Sequence, residues 1–255
     1  MTSLRSWLTE KEEDMPPSLR MSAGWERRLA LGMRETGPMP DLTVLGGVGS
    51  LVAAEIDVKR SRFLCRLVRV ETEDAARAAI DAARAEHWGA RHHCSAFVIG
   101  PSGTPDQVRR SNDDGEPSGT AGRPMLEALS GRGLVDCVAV VSRYFGGTLL
   151  GAGGLVRAYS ESVLTTIDQA QSRGLLVARE RRELFRLALS HADAGRIEAE
   201  LRQRGVLILG TRYGQEALLD IAGEDAERLG AIVAQVTAGA VDMEALGHEW
   251  VDVER

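Results

Sequence analysis

Ser111 to Pro124, SNDDGEPSGTAGRP, crowds Asp113, Asp114 and Glu116 against Gly115, Gly119 and Gly122, with Pro117 and Pro124 fixing the backbone on either side. Glycine supplies left-handed or close-approach conformations and proline pre-sets φ, so the run is a shaped turn. Its acids either face outward into water or face a partner. Carboxylates in that arrangement suit an amine, a base edge or a metal, whereas a phosphate backbone would be repelled by them.

A second run with chemical potential is SRYFGGTLLGAGGLVRAY, Ser142 to Tyr159, with Gly146, Gly147, Gly151, Gly153 and Gly154 inside it. It leaves an apolar strand and enters an amphipathic helix. A helix start exposes unpaired N–H groups and the positive end of the dipole, so Gly151 to Leu155 suits a phosphate, with Arg143 and Arg157 adding charge. The spacing matches neither a Walker loop nor a dinucleotide fingerprint, so no nucleotide class follows from it. Tight helix-on-strand packing explains the same glycines. Tyr144 and Phe145 follow Arg143 in a chain with only 4% aromatics. An arginine beside aromatics at a strand end suits base stacking. Neighbouring strand residues face opposite sides, so one ring is free for a partner if the other is buried.

The third group is Arg91, His92, His93 and Cys94. On a strand His92 and His93 point apart, so they cannot both ligate one metal with regular geometry. One of them could meet Asp113 or Asp114 as a ligand or acid–base pair. Nothing nearby in sequence lowers the Cys94 thiol pKa, which argues against a cysteine nucleophile. No catalytic constellation and no metal site is assigned.

These groups must be held by a fold. Val52, Ala54, Ile56 and Val58 alternate with polar or small residues, the period of a half-buried strand, and Phe63 to Val70 reads as its antiparallel neighbour. Thr72 caps a helix with Ala76, Ile80, Ala83 and His87 on one face. His93–Ile99 and Val135–Val141 read as central strands, with a short helix over Met125–Leu129 between them and a long one after Gly151. Beyond residue 173 the pattern becomes strand 184–189, helix 192–204, strands 206–209 and 217–221, a helix from Ala226 to Gly239, and a last strand 241–253. That order, βαββαβ, is the split-βαβ pattern.

The expected division is an extension over 1–42, a first domain over 43–172 and a second over 183–255, split near 173–182. Trp25–Met33 has the makings of a short helix, and methionines at 15, 21, 33 and 39 leave the translation start open. The chain has no apolar run of about eighteen residues and no signal-peptide-like start, so a cytoplasmic protein without membrane contact is expected. Cys65, Cys94 and Cys137 are odd in number and lack any CxxC, which supports neither a disulfide framework nor a zinc knuckle. The formal charge of −6 argues against nucleic acid until it is divided. Residues 59–166 carry 14 basic and 12 acidic groups, against 6 and 9 before them and 11 and 16 after. The middle is therefore mildly basic, a weak but local footprint for a polyanion.

KRSRF (59–63), RHHCSA (91–96), DDGEPSGTAGRPML (113–126) and SRYFGGTLLGAGGLVRAY (142–159) together closely resemble the YigZ/IMPACT family over residues 52–172. The extension 1–42 is outside the family pattern. The resemblance implies an α+β fold in two domains: an N-terminal ribosomal protein S5 domain 2-like fold and a C-terminal ferredoxin-like domain similar to one in elongation factor G. It also implies translation regulation, with an RNA or a ribosome-associated protein as partner, no DNA, and no known cofactor or oligomeric state. Carried onto this chain, the ligand or nucleic-acid binding residues are Arg91, His92, Asp113, Asp114, Glu116, Thr120, Arg143, Tyr144, Gly146, Gly147, Gly151, Gly153, Gly154 and Arg157. The rival expectation is an enzyme acting on a small phosphorylated or nucleotide-like substrate at the glycine-rich cleft.

Overall fold

The computed structural model describes residues 40–253; the expected extension up to residue 39, including Trp25–Met33, lies outside the described residues. Two five-stranded sheets organise the rest.

The first sheet comprises β2 (Leu51–Val58), β3 (Ser61–Arg69), β4 (His92–Ile99), β5 (Val108–Asn112) and β6 (Cys137–Tyr144) in the order β2-β3-β6-β4-β5, every neighbouring pair antiparallel. Its central strands are apolar on both faces because helices cover both. Cys137, Ala139 and Val141 join Phe63, Cys65 and Leu67 beneath α2 (Gly122–Gly131) and α3 (Gly151–Ser172). Val138, Val140 and Phe97 pack on the other face against Ala76 and Ala83 of α1 (Glu73–Glu86). Thr72 caps α1 by accepting from Ala75 N, as its position before Glu73 and Asp74 predicts.

The second sheet holds β7 (Leu176–Leu189), β8 (Leu207–Tyr213), β9 (Ala217–Gly223) and β10 (Met243–Val253), ordered β10-β7-β9-β8, with the short β1 (Asp41–Val44) as its fifth strand on β7, and is antiparallel throughout. With α4 (His191–Gln203) and α5 (Ala226–Thr237) this is the ferredoxin-like βαββαβ arrangement. Both helices cover one face, closing a core around Leu187, Leu189, Ile197, Leu201, Leu219 and Val233.

Three elements differ from expectation. Asp41 and Leu42, placed in the extension, belong to β1 (Asp41–Val44), which pairs with the first residues of β7 and bridges Leu42 to Leu134. The segment expected to separate the domains becomes β7 from Leu176 onward, a 14-residue strand whose first part, LVARERR, carries too many charges to show strand alternation. β5, sequence VRRSN, is an edge strand with an exposed face and so has almost no apolar signal.

Candidate functional site

His92 on β4 and Arg143 on β6 are register partners, and Phe63 on β3 sits opposite Arg143. All three lie on the sheet face covered by α3. Past the strand ends the chain rises on two sides, through loop 113–121 and through Phe145 to Leu150, and between them lies a cavity of about 310 Å³. Arg91, His92, Glu116, Arg143 and Gly151 line it, as do Phe145, Leu149, Ala152 and Leu155, which were not among the assigned residues. Ala152 and Leu155 lie in the helix start offered to a phosphate, and Phe145 belongs to the aromatic pair of which Tyr144 was assigned.

The acidic wall is held by its own acids. Asp113 Oδ2 accepts from Gly119 N (2.8 Å), while Oδ1 accepts from Ala121 N (3.0 Å) and Gly122 N (2.8 Å). Burial pushes its pKa up, but these three donations outweigh that and hold it below the usual carboxylate range. Asp114 adopts φ 44, accepts from His93 N at 2.7 Å and meets Arg84 at 3.0 Å. Thr120 Oγ1 donates to Pro117 O at 2.6 Å. A Cβ on Gly122 would stand 2.7 Å from Asn112 N, so that glycine is set by packing.

Glu116 alone of the three acids reaches the cavity. It is 9% exposed and accepts from Arg143 Nη1 at 2.6 Å and from Tyr159 OH at 2.7 Å. Behind it, Cys94 Sγ donates to Asp113 O, and burial pushes that thiol up to about 12. Burial also drives the Tyr159 hydroxyl far above its ordinary pKa, with Cys94 and Glu116 adding to the rise. Neither is an activated nucleophile. Among the described residues no group of three His, Cys, Asp or Glu is placed to hold a metal ion.

The histidines divide as strand geometry requires. His92 Nδ1 lies 2.8 Å from Asp114 O, and a carbonyl only accepts, so Nδ1 carries a proton. His93 turns to the α1 face, 2.9 Å from Ser142 Oγ, where burial lowers its pKa. Tyr144 also points to that face, between His87 and the Arg62 guanidinium.

Phe145 stays on the cavity side. The residue is 43% exposed, and its ring has the Arg143 guanidinium 5.7 Å from the centroid and the Arg91 guanidinium at 6.0 Å. Arg143 itself is turned inward: its side chain is 7% exposed, its Nη2 lies 3.5 Å from Ser61 Oγ, and its buried Nε has no hydrogen-bond partner.

The glycines fall into two kinds. A Cβ on Gly146 would lie 1.9 Å from Arg60 O, and one on Gly154 would lie 3.1 Å from Leu150 Cβ, so both permit close packing. Gly147 (φ 83), Gly151 (φ 70) and Gly153 face open space. α3 starts after Leu150 with no side-chain cap and no acid in its first turn, so its first N–H groups have no side-chain acceptor. Arg157 is exposed further along α3 and does not line the cavity.

An antiparallel sheet between helical layers, with an arginine-lined cavity at one end and a ferredoxin-like domain following, defines a two-domain α+β protein. The chain belongs to the YigZ/IMPACT family. Residues 59–167 match the Impact N-terminal domain, and residues 187–240 match a domain of unknown function, DUF1949. IMPACT family member YvyE of Bacillus subtilis is 44% identical over 68% of this chain and 76% of its own length. IMPACT family member YigZ of Escherichia coli is 40% identical over 65% of this chain and 79% of its own. A crystal structure described as that of a hypothetical protein aligns with TM-score 0.52 at 34% identity, covering 83% of this chain and 99% of that one.

Proposed function

We propose that this chain is an RNA-binding protein associated with the translation apparatus in the cytoplasm, contacting RNA at the sheet end of its first domain. The observation that carries the reading is Phe145, part-exposed in the lining of the cavity with the Arg91 and Arg143 guanidiniums within 6.0 Å of its ring centroid. A part-exposed aromatic ring with cations close by, beside an uncapped helix start, offers a stacking surface and an anion-binding end within one ligand's reach. The acids, which would oppose a polyanion, are internal to the wall or neutralised by Arg143. No helix among the described residues is long and apolar enough to cross a membrane.

Sedimenting cell lysate through a sucrose gradient, with and without ribonuclease, tests it. Migration with ribosomal fractions that is abolished by ribonuclease, together with RNA recovered on pull-down, is the expected result. Migration that survives ribonuclease would transfer the reading to a ribosome-associated protein. A chain found only at the top of the gradient and retaining no RNA would overturn it.

A further inference from the structure

Resting on that reading, we infer that the cavity takes one unpaired nucleotide of single-stranded RNA, its base against Phe145 and its phosphate at the start of α3 beside Arg91. Size, charge and surface character each narrow the occupant. About 310 Å³ is at the small end of ligand cavities and suits one nucleotide unit better than a helical segment. The lining is apolar along Phe145, Leu149, Leu150, Ala152 and Leu155, which a base or ribose face would cover and a duplex backbone would not.

Charge fixes the number of phosphates. Arg143 is neutralised by Glu116, so Arg91 is the one lining arginine without an ion pair in the described residues. Arg91 plus the helix dipole, about half a charge, matches one phosphodiester. A nucleoside di- or triphosphate would leave most of its charge unmatched. The helix start is not the sole support for an anion here. Arg143 lines the same cavity with a side chain 7% exposed and a buried, unpartnered Nε. A duplex fits poorly, because its bases are stacked on one another and cannot reach Phe145.

Fluorescence anisotropy of the full chain with a labelled uridine oligomer and with a blunt RNA duplex of equal length, at one salt concentration, tests the inference. The single strand is expected to bind at least about tenfold more tightly, the range of one base stacked on an aromatic side chain. Phe145→Ala should lose about tenfold on the single strand and leave duplex affinity unchanged. Ala152→Glu provides a second handle. Ala152 is exposed in the first turn of α3, where a carboxylate favours the helix, so the variant keeps its melting temperature while repelling phosphate from the cavity. It too should lose single-strand binding.

If single strand and duplex bind equally and both variants behave as wild type, the nucleotide assignment falls while RNA binding stands. If neither RNA binds to the wild-type chain, the RNA reading falls and the assignment with it.

Discussion

Arg143 is where residue type and residue role separate. From its place after an apolar strand it reads as a phosphate partner, yet its guanidinium is held by Glu116 in a buried pair. Breaking such a pair leaves an uncompensated charge, so Arg143→Ala should cost about 3–5 kcal/mol in urea unfolding. Loss of RNA binding in that variant would therefore report folding; Phe145→Ala and Ala152→Glu, on exposed side chains, report the surface. Asp113 makes the parallel point for the acids. Its folded pKa lies below the ordinary value near about 3.9, so its contribution to stability is present above that value and disappears as pH falls through the folded pKa. The melting-temperature gap between wild type and Asp113→Asn should be widest near neutral pH and close in strong acid. A gap independent of pH would show that the loop does not depend on the Asp113 charge. The spacing of Asp113, Asp114 and Glu116 among glycines reads as a shaped turn, and the chain there folds into a loop tied by the Asp113 carboxylate. Which way each carboxylate turns follows from positive φ at Asp114, Gly115 and Gly119, which no residue pattern reports.

At the scale of elements, legibility followed burial. β4 and β6 are buried on both faces and stand out as continuous apolar runs, and α1 shows both its stripe and its cap. α2 was found but begins earlier than its apolar residues suggest. Its cap is Asp113, eight and nine residues before the Ala121 and Gly122 amides it accepts from, a distance that local capping rules do not scan. β1 is short and takes its pairing from β7, remote in sequence, while β5 is a short edge strand with an exposed face. Among glycines, composition alone cannot separate close approach from open backbone. Gly146→Ala drives a methyl into the Arg60 carbonyl and should destabilise by at least the roughly 1–3 kcal/mol typical of overpacking. Gly153→Ala meets nothing, sits within α3 and should stabilise by roughly 0.5–1 kcal/mol. Equal unfolding midpoints for the two variants would refute this division.

Across the whole of residues 40–253, β1 links the two domains: it pairs with the first residues of β7 and bridges Leu42 to Leu134, while the later residues of β7 pair with β9 and β10 runs along its other edge. The change of pattern after residue 173 did reveal a second α+β domain. The junction stayed hidden because its strand is rich in arginine, and those arginines serve the contact. Arg179 reaches Asp136 (3.3 Å), Asp252 (3.3 Å) and Glu71 (3.4 Å), while Arg69, 3% exposed, bonds Asp252, Glu71 and the Val44 carbonyl. One cluster thus ties β1, β3, β7 and β10 together. Two arginines face three acids, of which Asp136 is buried, and removing one arginine leaves the carboxylates in mutual repulsion. Wild type should therefore melt in a single calorimetric transition, with the domains cooperating through β1 and this cluster. Arg69→Ala should lower the melting temperature by several degrees, since each kcal/mol is worth about 2–4 °C in a chain of this size, and should broaden or split the transition. Arg77→Ala, at an exposed α1 pair, is the control and should change neither. A single sharp transition in Arg69→Ala at the wild-type temperature would mean that the backbone pairing of β1 alone couples the domains and that the charge cluster adds nothing to their union.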